Sequence, residues 1–221
     1  MEAGMTIQPI EPMTIAIAAD LHALAPELTD SGAYFTSVVA HADGKVTQYS
    51  EELTEAFLEQ ILADAPDALI LPGDLTLNGE RLSHAHLAEK LRRLRDAGIS
   101  VLVIPGNHDL ENPTAAAFRG AGFAPVESVT AADFAEIYAS CGFADALARD
   151  DASLSYVAAL SPGLRVLMLD VNTAEAPGAV TDATLAWAER QLEDAARGGA
   201  GVLAVSHQNL LQHNSALRAL T

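Results

Sequence analysis

Short apolar runs alternate along the chain with segments of helical period. "MTIAIAAD" (Met13 to Asp20), "DALILPGD" (Asp67 to Asp74) and "ISVLVIPGNHD" (Ile99 to Asp109) each read as a strand that stops at polar residues. "SLSYVAAL" and "LRVLMLD" flank "SPG", which predicts a hairpin turning at Pro162 and Gly163, and "GVLAVSH" (Gly201 to His207) is the last strand. Ser50 is expected to cap the helix "SEELTEAFLEQILADA", whose acids fall in the first turn, where the helix dipole favours them. "RLSHAHLAEKLRRLRDAG" turns basic late and stops at Gly98, and "TAADFAEIYASCG" and "TDATLAWAERQLEDAARGG" complete the helices. This alternation predicts an α/β fold with a largely parallel sheet, as one domain over residues 13–221 behind a tail of residues 1–12. Leu21 to Tyr49 fits neither period. A loop of that length is usually functional, and it is placed to cover the strand ends.

Composition narrows the picture. Half of the residues are hydrophobic but only 5% are aromatic, so alanine, leucine and valine must supply most of the core. The formal charge is -18, from 12 basic and 30 acidic residues, which excludes duplex nucleic acid as a partner because that binding draws on cationic side chains. If the substrate carries phosphate, something other than lysine and arginine must neutralise it. No run approaches the roughly 18 apolar residues of a membrane span, and the first residues show no basic and apolar leader pattern. As written, the chain is expected to be cytoplasmic, or exported or lipid-anchored if a leader has been removed. Cys141 is the only cysteine, so no intrachain disulfide forms, and it is expected in the core.

The strand ends carry the chemistry. The first ends Asp20-Leu21-His22, the second Gly73-Asp74, the third Gly106-Asn107-His108-Asp109 and the last Ser206-His207. In open α/β sheets the carboxyl ends of the strands line the ligand crevice, so these side chains should converge. Carboxylate, imidazole and amide ligands together suit divalent first-row metals. Two aspartates against two such ions leave about two positive charges in excess, a bridging hydroxide would reduce that to about one, and the remainder is what a phosphate needs in an acidic protein.

The order D-x-H, G-D, G-N-H-D and a final lone histidine resembles the calcineurin-like metallophosphoesterase superfamily. "GDLTLNGERLSH" and "IPGNHDLENP" are similar to its bacterial class III cyclic-nucleotide phosphodiesterases, over roughly Met13 to Asn214. The resemblance implies a metallophosphoesterase-type β-sandwich flanked by helices. It implies two divalent ions, manganese, iron or zinc, with Asp20 and His22 on one, Asn107 and His207 on the other, and Asp74 bridging. His108 would serve the leaving oxygen or the transition state, and Asp109 would orient its imidazole. The implied reaction is attack by metal-bound hydroxide on a small phosphodiester, most readily a 3′,5′-cyclic nucleotide. The alternatives are a phosphomonoesterase or protein phosphatase on the same site, or a catalytically impaired fragment that binds metal or ligand.

One departure stands against the family pattern. The superfamily's final Gly-His-x-His block does not occur here, so the fold is expected to be incomplete at its C-terminus. A missing C-terminal region or a partner chain would complete the site. His84-Ala85-His86 is no substitute, because residues two apart on a helix do not face each other. His41, His84, His86 and His213 are expected at the surface, and "EKLRRLRD" as a solvated helix face.

Overall fold

The computed structural model describes residues 11–41 and 45–209. Residues up to 10, and His213, lie outside the described residues. The first apolar run gives β1 (Ile15–Ile17), followed by α1 (Ala33–Ala40) and α2 (Ser50–Asp64), which lead to β2 (Ala68–Pro72). Helix α3 (Arg81–Asp96) then leads to β3 (Ser100–Ile104). These strands form a parallel sheet in the order β1-β2-β3. Every residue of β2 is buried, as expected of a central parallel strand covered on both faces.

The second half builds another sheet. After the hairpin of β4 (Ala116–Arg119) and β5 (Gly122–Pro125) come α4 (Ala131–Ile137), β6 (Ala148–Arg149), β7 (Tyr156–Ser161) and β8 (Leu164–Leu169). Helix α5 (Asp182–Arg197) crosses over to β9 (Gly201–Ser206). The order is β6-β7-β8-β9, with β8 and β9 parallel and the other pairs antiparallel. The expected hairpin does turn at Pro162-Gly163.

Leu69, Leu71, Val101 and Val103 of the first sheet share one buried cluster with Tyr156, Ala158, Val166 and Met168 of the second. Tyr156 stitches the two together. Its hydroxyl donates to the Val103 carbonyl at 2.9 Å and accepts the Val103 N–H at 3.1 Å, serving the open edge of β3. The architecture is therefore the mixed α/β sandwich with flanking helices, rather than one largely parallel sheet.

Four local expectations are corrected. Ser50 is the first residue of α2, not its cap, and its hydroxyl accepts the Leu24 N–H at 2.9 Å. The Leu21–Tyr49 segment contains α1, whose Phe35 packs with Leu24, Leu28, Ala116 and Phe118 in a satellite core. Lys90 reaches Glu51 and Glu55 at 2.8 and 2.9 Å, and Arg93 also pairs with Glu55, so part of the basic run is an ion-paired seam between α2 and α3. Those two cations hold the Glu55 carboxyl down to about 2. His84 is fully buried, not at the surface. Cys141 is buried as expected.

Candidate metal centre

The first strand does not end where its regular pairing does. The Ala18 N–H reaches the Ile70 carbonyl at 3.1 Å, Asp20 N–H that of Gly73 at 3.1 Å and His22 N–H that of Asp74 at 3.0 Å. The two loops leaving β1 and β2 are thus zipped side by side. Three of their non-glycine residues sit at positive φ, Asp20 at 60°, His22 at 43° and Asp74 at 50°. That left-handed region is uncommon without glycine and costs on the order of 1–3 kcal/mol per residue, a strain that concentrates at functional sites.

Glycines set the approach of the β2 and β3 loops. A Cβ on Gly106 would stand 2.3 Å from both the backbone nitrogen and Oδ1 of Asp74. One on Gly73, itself at φ 97°, would stand 2.6 Å from the Gly106 nitrogen and 2.8 Å from His207 Nδ1. Any larger residue at either position drives the loops apart.

Asp74 is buried at the middle of the cluster. Its Oδ1 accepts the His108 N–H at 2.9 Å and lies 3.4 Å from His207 Nε2, while its Oδ2 lies 3.6 Å from His22 Nε2. His22 Nε2 is in turn 3.9 Å from Asp20 Oδ1, and His207 Nε2 is 3.2 Å from Asn107 Oδ1. The structure therefore gathers Asp20, His22, Asp74, Asn107 and His207 into two half-sites that share Asp74. Ligand atoms of Asp20, Asp74 and His207 all lie within 4.8 Å of one another.

Main-chain carbonyls fix the polarity of the second half-site. The Pro72 carbonyl accepts from His207 Nδ1 at 2.8 Å, which leaves Nε2 as a lone pair. The Pro105 carbonyl accepts from Asn172 Nδ2 at 3.1 Å, turning Asn172 Oδ1 towards Gln208 Nε2 at 2.8 Å. Gln208 Nε2 in turn donates to Asn107 Oδ1 at 3.1 Å. Two acceptors, Asn107 Oδ1 and His207 Nε2, thus face each other, an arrangement that calls for a cation or a proton. Burial opposes protonation of His207, but the Asp74 carboxylate outweighs it and raises the pKa. Burial likewise opposes ionisation of Asp74, yet His207 and the His108 N–H hold its pKa below the ordinary value. Burial, followed by the nearby Lys45 charge, lowers the pKa of His22 and keeps it neutral, the form that binds metal. The buried His22 Nδ1 has no hydrogen-bond partner among the described residues. This donor set fits divalent metal.

His108 stands beside the cluster, its ring 4.9 Å from that of His22 and at 87° to it. Its orientation corrects the expectation drawn from sequence. Nδ1 faces the Leu77 carbonyl at 2.8 Å and Asn78 Oδ1 at 3.0 Å, not Asp109. The fully buried Asp109 carboxylate instead accepts the N–H groups of Gly106 at 2.8 Å, Thr76 at 2.9 Å and Leu75 at 3.1 Å, and the Thr76 hydroxyl at 3.1 Å. Asp109 is a clamp that binds the β2 loop to the β3 loop. Neighbours in a tight turn point their side chains apart, so adjacency did not mean contact. Beneath the clamp, His84 Nε2 meets the Asp109 carbonyl and the Thr76 hydroxyl at 3.0 and 3.1 Å, and its Nδ1 meets the Tyr138 hydroxyl at 3.0 Å.

Leu77, Asn78, Asn172 and Gln208 are contributors that sequence reasoning missed. Gln208 directly follows a candidate ligand and Asn172 follows a strand end, so position was the available signal for both.

Residues 13–211 match the family described as calcineurin-like phosphoesterase. No curated protein matches the chain. Among solved structures, a dimetal phosphatase from Danio rerio is similar with a TM-score of 0.54 at 14% identity, over 88% of this chain and 69% of that one. At that identity the likeness is one of fold.

Proposed function

Because the chain belongs to the calcineurin-like phosphoesterase family, we propose that its strand-end cluster hydrolyses a small phosphodiester. A 3′,5′-cyclic nucleotide is favoured by the resemblance to class III phosphodiesterases. The observation that carries this reading is the buried Asp74 carboxylate, set between an Asp20–His22 pair and an Asn107–His207 pair. Asp20 and His22 would hold one divalent ion and Asn107 and His207 the other, with Asp74 between them; manganese, iron and zinc suit the donors. When bound, such a pair supplies positive charge to the phosphate and lowers the pKa of water.

The chain's own residues do the rest. His108 has Nδ1 turned to a carbonyl, so Nε2 is the ring nitrogen left for the leaving oxygen. The Asp74 carboxylate accepts the backbone N–H of His108 and so ties the main chain that carries the imidazole to the metal cradle. Within a chain of formal charge -18, the ions such a cradle would hold are what would draw an anionic substrate to this point. Manganese-loaded protein should hydrolyse bis-p-nitrophenyl phosphate and a cyclic nucleotide, and Asp74→Asn should abolish both activities. Full activity in Asp74→Asn would defeat the reading.

A further inference from the structure

Two adjoining cavities open beside the cluster. The larger, about 360 Å³, is bounded by Asp20, His22, Leu53 and Phe57. The smaller, about 210 Å³, is bounded by Phe35, Val38, Val39, Leu77, His108 and Phe118. Lys45 and Thr47 line both, so Lys45 stands where the two lobes meet. Apart from Asn78, His108, Lys45 and Thr47, the smaller lobe is apolar. Its floor is the satellite core, where the Phe35 and Phe118 rings pack 5.3 Å apart. At that size it falls below the roughly 300–1,000 Å³ of drug-sized pockets and takes one ring system.

Its position assigns its occupant. A group that protonates a leaving oxygen must lie within hydrogen-bond reach of it, so the arm attached to that oxygen extends into the space next to the imidazole. His108 is part of the wall of the Phe35–Phe118 lobe and does not line the larger one. We propose that this lobe is the subsite for the leaving arm of the phosphoester, selecting a flat apolar ring, and that Lys45 contacts a free phosphate oxygen between the lobes. This rests on reading the cluster as a phosphoester hydrolase. In the step concerned, a water oxygen forms its bond to phosphorus and gives up a proton to solvent, while the P–O bond to that arm breaks with its electron pair on the leaving oxygen, which takes a proton from His108 Nε2. In a diester with two separate arms the larger lobe, on the Asp20 and His22 side, takes the arm that stays on phosphorus; in a 3′,5′-cyclic nucleotide both ester oxygens belong to one ribose, which would lie where the lobes meet.

Phosphonates test the lobe without turnover. Calorimetry of manganese-loaded protein should show phenylphosphonate binding about tenfold more tightly than methylphosphonate, the difference being one ring in an apolar pocket. Val38→Trp, at a rim position 37% exposed, should bring that ratio to about twofold or less. Val39→Trp repeats the test should the first variant melt early. Lys45→Met should weaken both ligands by a similar factor and preserve the ratio. Equal affinities in the wild type, a ratio that survives both tryptophan variants, or binding of neither phosphonate overturns the proposal. If the ratio collapses as expected while no phosphoester is hydrolysed, the lobe stands and the hydrolase reading alone falls.

Discussion

Replacing Asp109 with asparagine removes a charge and one acceptor oxygen while keeping the shape of the side chain. Its two oxygens take four hydrogen bonds, Oδ1 from the Thr76 N–H and hydroxyl and Oδ2 from the N–H groups of Leu75 and Gly106. With its NH2 towards Leu75 and Gly106, two buried donors confront a donor; with it towards Thr76, whose hydroxyl can turn to accept, only the Thr76 N–H does, so one or two bonds are lost. Bonds to a charged acceptor contribute about 1.5–3 kcal/mol each, so the loss is about 1.5–6 kcal/mol. Against a total stability of about 5–15 kcal/mol that is severe. At about 2–4 °C per kcal/mol for a protein of this size, the melting temperature of metal-free Asp109→Asn should fall by about 3 to about 24 °C. Circular dichroism melts measure this, and manganese titration should show weaker binding because the clamp no longer holds the Asp74 loop against Gly106. A metal-free melting temperature within about 2 °C of wild type, with only kcat reduced, would refute the clamp and restore a partnership with His108.

Other outcomes follow from the same geometry. Gly106→Ala places a methyl 2.3 Å from Asp74 Oδ1, so isothermal titration should find manganese binding lost or reduced at least about tenfold. Asn172→Ala removes the anchor that turns Gln208 towards Asn107, and one of two manganese equivalents should weaken by about 10–100-fold in the same assay. Glu80 is buried, with Oε1 unpartnered among the described residues, and burial raises its pKa above 4.5. Because the folded pKa lies above the unfolded one, this residue costs stability progressively as pH rises from 4.5 through its folded pKa. Glu80→Gln should therefore raise the melting temperature at about pH 7 more than at about pH 4, as thermal melts at the two values will show.

The strand ends were legible because an apolar run that stops in aspartate, histidine or asparagine has no reason to do so in a core. The two-sheet sandwich was less so, since nothing local in the β7–β8 hairpin says whether it extends the first sheet or builds a second, and its neighbour β6 is only two residues long. His84 carried a signal that was passed over. It falls in step with the buried Leu87, Leu91 and Leu94 of α3, on the face that packs inward. The orientation of Asp109 and the pairing of Lys90 with Glu51 were not local properties. The first depends on how a turn aims its side chains, the second on a helix 35 or more positions away.

The second half-site takes its polarity from the carbonyls of Pro72 and Pro105, one at the end of β2 and one just after β3. Main-chain oxygens cannot be deleted by a codon change. Drift at either position can alter the ring and leave the anchor standing, provided the strand keeps its register. Selection on this half of the cradle therefore falls on the side chains that read those anchors, Asn172, Gln208 and His207, and Pro72→Ala should load manganese as the wild type does.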